Sequence, residues 1–335
     1  MNIRFNSLLL PAYLSLFLMK KSFLFFFLIL NSSYGQISGC TDALAKNFNP
    51  NATNNDGSCV YFSAKIKTKT SLKLNDSLRE TSGLMAFDNL LWTHNDDHDN
   101  IIYGLDSNGK IQKKIKLEKV KNNDWEEISQ DSSYIYIGDF GNNFYGNRKD
   151  LHILRIEKKS FLSNAPVIDT ISFSYSNQSD FGIQKENSTD FDCEAFVVSR
   201  DSIYLFTKQW NQKKTSVYVL PKVPGKYTAK LKETLNVSGL ITGATLLTSG
   251  NGIVLCGYSK MLQPFLYLLY DYKNNDFSAG NKRKIKLSLP FHQIEGIESL
   301  DGKLFYLTNE SLIKRPIIKI PPQIHTVDLS SVLKK

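Results

Sequence analysis

Three glutamates hold equivalent positions in a pattern that recurs along this chain of 335 residues. Glu126, Glu194 and Glu295 each stand at the start of a short apolar segment. Carboxylates that converge in a confined space repel one another unless a positive charge lies among them. Calcium binds oxygen ligands of this kind, and Asn95 and Asp139 add oxygen donors in neighbouring loops. The pattern therefore predicts a calcium site formed by these five residues.

Three other roles stay open for the glutamates. Lys208, Lys121 or Arg148 would neutralise their charge without an ion. Acids at strand starts also accept hydrogen bonds from backbone N–H groups, which would make them structural links between neighbouring sheets. Acid–base catalysis is the third role, because groups with shifted pKa values are common at catalytic sites.

Loops on the same predicted face carry further polar and aromatic residues. Trp210, Lys208, His98 and His292 are expected to line a ligand-binding surface there. An exposed aromatic ring suits a sugar or another flat ligand. The five histidines do not assemble a closed zinc site, so ordinary polar contacts are expected for them. No GxSxG, HExxH or Walker sequence is present.

A repeated two-strand unit positions these residues. Each copy has a short apolar segment, a turn rich in Asp, Asn, Ser or Gly, and a second apolar segment with a polar end. In four of the five copies the first and last positions are thirteen residues apart, and the fourth copy is longer by its turn. The copies are 82–95, 126–139, 194–207, 242–257 and 295–308.

The copies continue with further strands. Third strands are predicted at 100–109, 150–159, 215–225, 264–274 and 323–331, and fourth strands at 110–119, 166–175, 227–236 and 282–289. The fifth copy lacks a fourth strand, and the segment 63–72 is a strand without a sheet. That segment would complete the last sheet and close a ring. The sequence predicts an all-β fold, a β-propeller of five four-stranded blades. A sixth blade within 160–193 and a β-sandwich are the alternatives.

The segment 39–61 reads GCTDALAKNFNPNATNNDGSCVY and forms a separate unit. Cys40 and Cys59 bracket a polar loop too small for a hydrophobic core, so a disulfide is predicted between them. The oxygen donors available to calcium here are Asp42, Asn49, Asn51, Asn55 and Asp56. The segment resembles the thrombospondin type 3-like calcium-loop module GCTDxxAxNYNPxAxxDDGSCxY of secreted bacterial proteins. A disulfide-closed turn without an ion is the alternative.

The N-terminal segment has the features of a signal peptide. Lys20 and Lys21 precede the apolar run SFLFFFLIL, which is followed by small and polar residues, and Met19 is a candidate start. Export to the periplasm, the cell surface or the medium is expected. An uncleaved anchor and lipidation of Cys40 are the alternatives. The predicted organisation is a signal peptide at 1–35, the calcium-loop module at 36–61 and the propeller at 62–335.

The formal charge of +9 has a structural explanation. Lysines are spread along alternating strands such as 65–74 and 282–287, as expected for edge strands that must stay soluble. No basic helix or aromatic RNA motif accompanies the charge, so nucleic acid is not an expected partner. The expected partner is a protein, a glycan or a small molecule, and the chain is expected to be a monomer.

Residues 78–157 contain a series of motifs, ETSGLMAFDNLLWTHNDDHDN, NDWEEIS and YIYIGDFGNN. They resemble a group of secreted bacterial propellers that look like relatives of the SdiA-regulated and phytase-like propeller proteins. The chain departs from that group at Asp97 and His98, where the group has Ser-Gly, and at Asn142, where it has Asp. The resemblance implies a propeller fold and no particular activity.

Two functional hypotheses follow. The first is an exported binding protein whose ligand docks on the face that carries Glu126, Glu194, Glu295 and Trp210. The second is a calcium-dependent hydrolase of a phosphoester or a lactone, in which calcium polarises the substrate and a nearby acid or histidine activates water. Whether the chain is an enzyme stays open at this point.

Overall fold

The computed structural model describes residues 35–163, 165–247 and 252–333. The predicted signal peptide lies outside them except for Gly35. Strands dominate this part of the chain, as predicted. Its helical segments are a 3-10 turn at Asp76–Leu78 and the short α1 at Lys158–Phe161. No helix among the described residues is long and apolar enough to cross a membrane.

Four short strands precede the first blade. They are β1 (Ser38–Gly39), β2 (Asn54–Asn55), β3 (Ala64–Ile66) and β4 (Thr70–Lys73). The first two pair with each other inside the disulfide-closed segment.

Five blades of four antiparallel strands follow. Blade 1 contains β5 (Thr81–Phe87), β6 (Leu90–Asn95), β7 (Ile101–Leu105) and β8 (Ile111–Lys116). Blade 2 contains β9 (Trp125–Gln130), β10 (Tyr134–Asp139), β11 (His152–Glu157) and β12 (Ile168–Tyr175). Blade 3 contains β13 (Cys193–Val198), β14 (Ser202–Thr207), β15 (Thr215–Pro221) and β16 (Gly225–Leu235).

Blades 4 and 5 are formed mainly by the C-terminal part of the chain, and blade 5 also contains β4 from the N-terminal segment. Blade 4 contains β17 (Leu240–Leu246), β18 (Gly252–Tyr258), β19 (Pro264–Tyr270) and β20 (Asn281–Leu287). Blade 5 begins with β21 (Ile294–Ser299) and β22 (Leu304–Asn309). A hairpin of β23 (Leu312–Lys314) and β24 (Ile318–Ile320) follows. Blade 5 is completed by β25 (Gln323–Asp328) and β4.

The innermost strands close a ring. Each of β5, β9, β13, β17 and β21 contacts the next, and β21 contacts β5. The described residues of 160–193 contain the end of α1 and β12 but no additional sheet. The prediction of an all-β propeller with five blades is therefore confirmed, and the sixth blade is not formed in this part of the chain.

The segment predicted to complete the last sheet serves two blades instead of one. As predicted, a strand of this segment completes blade 5, because β4 pairs with β25. Ser71 lies opposite His325 in this pairing. The preceding β3 pairs in parallel with β20, which makes it a fifth strand on blade 4. The outer strands of blades 2 and 3 are also joined, because β12 and β16 pair in parallel.

The core consists of five hydrophobic clusters, each between two neighbouring blades. Side chains alternate between the two faces of a strand, so each blade buries both faces. In β18, Ile253 and Leu255 pack toward blade 3, whereas Val254 and Cys256 pack toward blade 5. Every residue of β18 is buried. This arrangement fixes the inner strand ends, which position the polar residues described next.

Candidate functional site

A shift in strand pairing recurs at the start of the inner strands. Each shift leaves one residue of the inner strand without a partner opposite it, which is the pattern of a β-bulge. A bulge re-aims the side chain of the extra residue. The residues at the shifts are Glu126, Glu194, Thr242 and Glu295. These are the positions that the sequence repeat aligned.

Three carboxylates from blades 2 and 3 form what we call the inner acid cluster. It consists of Glu126, Asp192 and Glu194, and one oxygen from each lies within 4.8 Å of the others. All three side chains are buried. The ammonium group of Lys208, also buried, lies 3.0 Å from Glu194 Oε1. One cation therefore faces three acids.

The crowding of these charges shifts their pKa values. Burial, and then repulsion from Glu194, raises the pKa of Glu126 well above its usual range. Burial opposes the charge on Lys208, but attraction to Glu194 raises the pKa of Lys208 well above its usual range, so it keeps its proton. In blade 5, burial raises the pKa of Glu295 to about 8, although Lys208 works in the opposite direction. Without a further cation, part of this group of acids stays protonated near neutral pH.

Further acidic side chains with raised pKa values lie in loops around the inner acid cluster. Burial, followed by repulsion from Asp192, raises the pKa of Asp124 to about 7. Burial raises the pKa of Glu310 to about 7. Burial, followed by repulsion from Glu310 and Glu80, raises the pKa of Asp96 to about 8. The excess of negative charge therefore extends to loops of blades 1 and 5.

Asp192 is held in place by two hydrogen bonds. The backbone N–H of Asn142 donates to Asp192 Oδ1 at 2.6 Å, and the indole N–H of Trp210 donates to Asp192 Oδ2 at 2.7 Å. The ammonium group of Lys208 lies 4.8 Å from the centre of the Trp210 ring. The structure thus brings Trp210 and Lys208, two residues of the predicted ligand face, against the inner acid cluster.

Two observations at these acids fit a bound cation with oxygen ligands. Glu295 Oε2 is buried and accepts no hydrogen bond from the described residues. The backbone at Gly141 passes so close that a Cβ there would lie 2.3 Å from Asp124 Oδ2 and from Glu126 Oε1. The atoms that could bind a metal here are all carboxylate oxygens, the ligand type that calcium prefers.

Asn95 and Asp139 have their oxygens engaged elsewhere. Asn95 Oδ1 accepts a long hydrogen bond of 3.4 Å from the N–H of Glu80. Asp139 Oδ1 accepts from Arg148 Nη2 at 2.6 Å, and its Oδ2 accepts from the backbone N–H of Asn123 at 3.1 Å. These bonds tie loops together, and the calcium-binding role of both residues stays a prediction.

One role that the sequence leaves open for the acids is to accept hydrogen bonds from backbone groups and so link neighbouring blades. Two other glutamates, Glu127 and Glu298, form such links. Glu127 Oε2 accepts from the N–H of Ala244 at 2.8 Å, which links blade 2 to blade 4. Glu298 accepts from Thr245 Oγ1 at 3.0 Å and from the N–H of Ala86 at 3.2 Å, which links blade 5 to blades 4 and 1.

The two histidines of the predicted ligand face have different surroundings. His98 Nδ1 lies 3.0 Å from Glu80 Oε2 and also contacts Asp97 Oδ1. His292 Nε2 bonds Gln323 Oε1 at 3.1 Å, and its ring packs edge-on against His325. His292 is thus part of a local polar contact within blade 5.

The predicted disulfide between Cys40 and Cys59 is confirmed, with an S–S distance of 2.06 Å. The segment that it closes packs on blade 4. Asp42 Oδ2 accepts from Tyr61 at 2.9 Å and from Tyr270 of β19 at 2.6 Å. Cys193 and Cys256 are buried free thiols.

Other predicted calcium ligands of this segment take part in hydrogen bonds, two of them to residues two positions further along the chain and one to blade 4. Asn49 Oδ1 accepts from the N–H of Asn51 at 3.0 Å, and Asp56 Oδ1 accepts from the N–H of Ser58 at 3.0 Å. Asn55 Nδ2 donates to Asn281 Oδ1 of blade 4 at 3.0 Å. Calcium binding by the segment stays a prediction.

The sequence places Asp124, Asp192 and Glu310 in loops of the same face, but they were not predicted as calcium ligands. The first two are marked by a repeated Asp-x-Glu pattern, Asp124 before Glu126 and Asp192 before Glu194. This repeated spacing was a usable signal, because the same two residue types precede and open two inner strands. Glu310 directly follows β22, as Asp96 directly follows β6.

Fold and site together define a five-bladed β-propeller with buried acids and one lysine between its inner strands. No family model matches the chain, and no curated protein matches it in sequence. One solved structure with partial similarity is a provisionally assigned 6-phosphogluconolactonase from Bacteroides uniformis ATCC 8492. Its identity to this chain is 12%, the match covers 72% of this chain and 70% of that chain, and the TM-score is 0.36. Similarity at this level carries no argument about function.

Proposed function

We propose that this chain is an exported binding protein whose propeller holds a calcium ion at the inner acid cluster. Glu126, Asp192 and Glu194 would supply the oxygen ligands. Trp210, which adjoins the cluster and is partly exposed, would contact the docked ligand, a protein or a glycan, whereas the buried Lys208 would balance the charge of Glu194. Bound calcium would supply positive charge for anionic groups of that ligand.

The observation that carries the proposal is the charge imbalance among buried side chains. Lys208 balances one negative charge, beside Glu194. Two ionised carboxylates whose oxygens lie within 4.8 Å of each other repel each other by about 3 kcal/mol or more at an effective dielectric constant of about 20. A divalent cation replaces this repulsion by attraction. The alternative is that the acids stay protonated, which the raised pKa of Glu126 describes for the metal-free chain.

The disulfide-closed segment supports the exported location. Disulfides persist in oxidising compartments outside the cytoplasm, and Cys40 is bonded to Cys59. Its sulfur is therefore not free for the thioether of a lipid anchor. The signal-peptide features and the resemblance of this segment to calcium-loop modules of secreted proteins point the same way. A second calcium ion in the segment is part of the proposal.

Calorimetric titration of the chelator-treated chain with calcium tests the proposal. The variants are Glu126→Gln for the inner acid cluster, Asp56→Asn for the disulfide-closed segment, and Glu118→Gln as a control at an exposed glutamate. We expect Glu126→Gln to weaken the propeller site at least tenfold, because it removes one of the charged ligands. Asp56→Asn should leave that site unchanged, and Glu118→Gln should bind like the parent chain.

Two results would contradict the calcium site in the propeller. One is calcium binding that Asp56→Asn abolishes and Glu126→Gln leaves intact, which would place all binding in the disulfide-closed segment. The other is the absence of binding in every variant and in the parent. Fluorescence of Trp210 gives a second readout, because its indole N–H donates to the proposed ligand Asp192.

A calcium-dependent hydrolase is the second candidate. The observation that favours it is a pair of acids with pKa values near neutrality, about 8 for Glu295 and about 7 for Glu310, both raised first by burial. Groups that titrate near the working pH transfer protons efficiently. The test is hydrolysis of p-nitrophenyl phosphate and of a simple lactone with calcium present. Turnover that Glu295→Gln abolishes would support this candidate, and no turnover on either substrate would remove it.

A further inference from the structure

Three side chains in loops at one end of blade 1 form a second cluster of metal-binding groups. They are Glu80, Asp97 and His98, and one donor atom from each lies within 4.8 Å of the others. This cluster differs from the inner acid cluster in two ways. It contains an imidazole nitrogen, and its side chains are open to solvent, with His98 70% exposed.

The backbone holds the three residues in place. The N–H of Asp96 donates to the carbonyl oxygen of Glu80 at 3.0 Å, which ties the loop of Asp97 to the strand start. His98 has a φ of 69°, a left-handed conformation that non-glycine residues seldom adopt. This conformation turns the imidazole back toward Glu80 and Asp97.

Protons alone do not satisfy the converging atoms. His98 Nδ1 faces both Glu80 Oε2, at 3.0 Å, and Asp97 Oδ1. A single N–H at Nδ1 can donate a good hydrogen bond to one of these oxygens only. Asp97 Oδ1 itself is shielded from solvent, and it contacts His98 Nδ1. Three atoms with lone pairs therefore converge around at most one hydrogen.

The geometry points to a divalent transition metal, of the zinc class, bound by Glu80, Asp97 and His98. Ligand atoms about 2.1 Å from a metal lie about 3.0 to 3.5 Å from one another in octahedral or tetrahedral sites. The distance between Glu80 Oε2 and His98 Nδ1 matches this spacing, whereas Asp97 Oδ1 and His98 Nδ1 lie closer together, so these two side chains would separate on binding the metal. Imidazole selects zinc, cobalt and nickel over calcium and magnesium. Three protein ligands on an exposed loop leave coordination positions open, so the metal would accept an anionic group such as a carboxylate or a phosphate from outside.

The site is separate from the proposed calcium site in residues and in metal. Asp97 and His98 are also the positions at which the chain departs from the propellers that its sequence resembles, which have Ser-Gly there. The site is therefore a property of this chain's own residues.

Zinc titration of the full chain with a competing chromophoric chelator tests the inference, and cobalt supplies an absorption signal. The main variant is His98→Gly, because glycine adopts the positive φ of this position without strain. His152→Ala is the matched control, since His152 also lies near a carboxylate, 3.9 Å from Asp139, but belongs to no such cluster. We expect one zinc ion per chain, bound at least tenfold more weakly by His98→Gly and by Glu80→Gln, and unchanged by His152→Ala.

Each other outcome overturns the inference. Equal zinc affinity in the parent chain and in His98→Gly would show that the three residues form only an ion pair. Loss of zinc in Glu194→Gln, with retention in His98→Gly, would place the metal in the inner acid cluster. Displacement of the zinc by a small excess of calcium would show that the imidazole is not a ligand.

Discussion

In the metal-free chain, the free energy of unfolding should change with pH partly because Glu295 titrates. Replacing Glu295 by glutamine should abolish that contribution, which corresponds to one proton. Burial raises the pKa of Glu295 to about 8 in the folded chain, whereas a glutamate in an unfolded chain titrates near about 4.3. Between these values the folded state binds a proton that the unfolded state has released. The stability from this group is therefore complete below the unfolded pKa and is lost as the pH rises toward the folded pKa.

The size of the effect follows from linkage. One proton changes the free energy of unfolding by about 1.4 kcal/mol per pH unit. From about pH 5 to about pH 7, Glu295 alone should lower the stability of the parent chain by about 3 kcal/mol. Glutamine does not titrate, so the variant should lack this contribution.

Urea unfolding in the presence of a chelator, followed by tryptophan fluorescence, measures the difference. The free energy of unfolding of the parent should fall by about 3 kcal/mol more than that of Glu295→Gln over this pH range. The exposed control Glu118→Gln should keep the slope of the parent. Identical slopes for the parent and Glu295→Gln would refute the argument that Glu295 holds a proton in the folded state.

Two further variants test structural contacts. Replacing Cys40 and Cys59 together by serine should lower the free energy of unfolding by about 3 kcal/mol, because the unfolded chain regains the freedom that the bridge removes. Urea unfolding without reductant measures this, and an unchanged midpoint would contradict it. Glu127→Gln should cost about 1 to 3 kcal/mol, because an amide N–H₂ would face the N–H of Ala244 or of Ile128, which both donate to Glu127. Thermal unfolding measures this change, and a melting temperature equal to that of Glu118→Gln would argue against the bridge.

The blades could be predicted because their signal is local. An apolar strand, a turn and a second strand fit within fourteen residues, as in 126–139, where β9 and β10 form. Each blade buries both of its faces, so strands inside a blade, such as β18, are buried along their whole length. Repetition of this unit then implied closure of a ring, and the pairing of β4 with β25 confirms it.

The parallel pairings were not predictable from the same signal. The strand β3 has three residues, and its pairing with β20 depends on where blade 4 lies after folding. The pairing of β12 with β16 likewise joins two blades whose own strands are complete without it. Neither contact leaves a pattern within one segment of the sequence.

Site residues at repeat positions could be predicted from the sequence. Contacts that depend on the conformation of loops could not. Glu126, Glu194 and Glu295 stand at aligned positions because each coincides with the same bulge. Asp139 also has an aligned position, but Arg148 and Asn123, both in loops, engage its oxygens. Loop conformations of this kind depend on contacts between segments, which a single sequence does not display.

The pairing of β4 with β25 has a consequence for the order of events during synthesis. His325 Nδ1 and Ser71 Oγ, which bond at 2.8 Å, are 254 residues apart in the chain. During synthesis β4 emerges long before its partner, so blade 5 cannot form until nearly the whole propeller has been delivered. Contacts between such distant segments slow folding, and strand edges that wait for a partner attract other chains. A cell that makes this chain must therefore keep it from aggregating until the ring is closed.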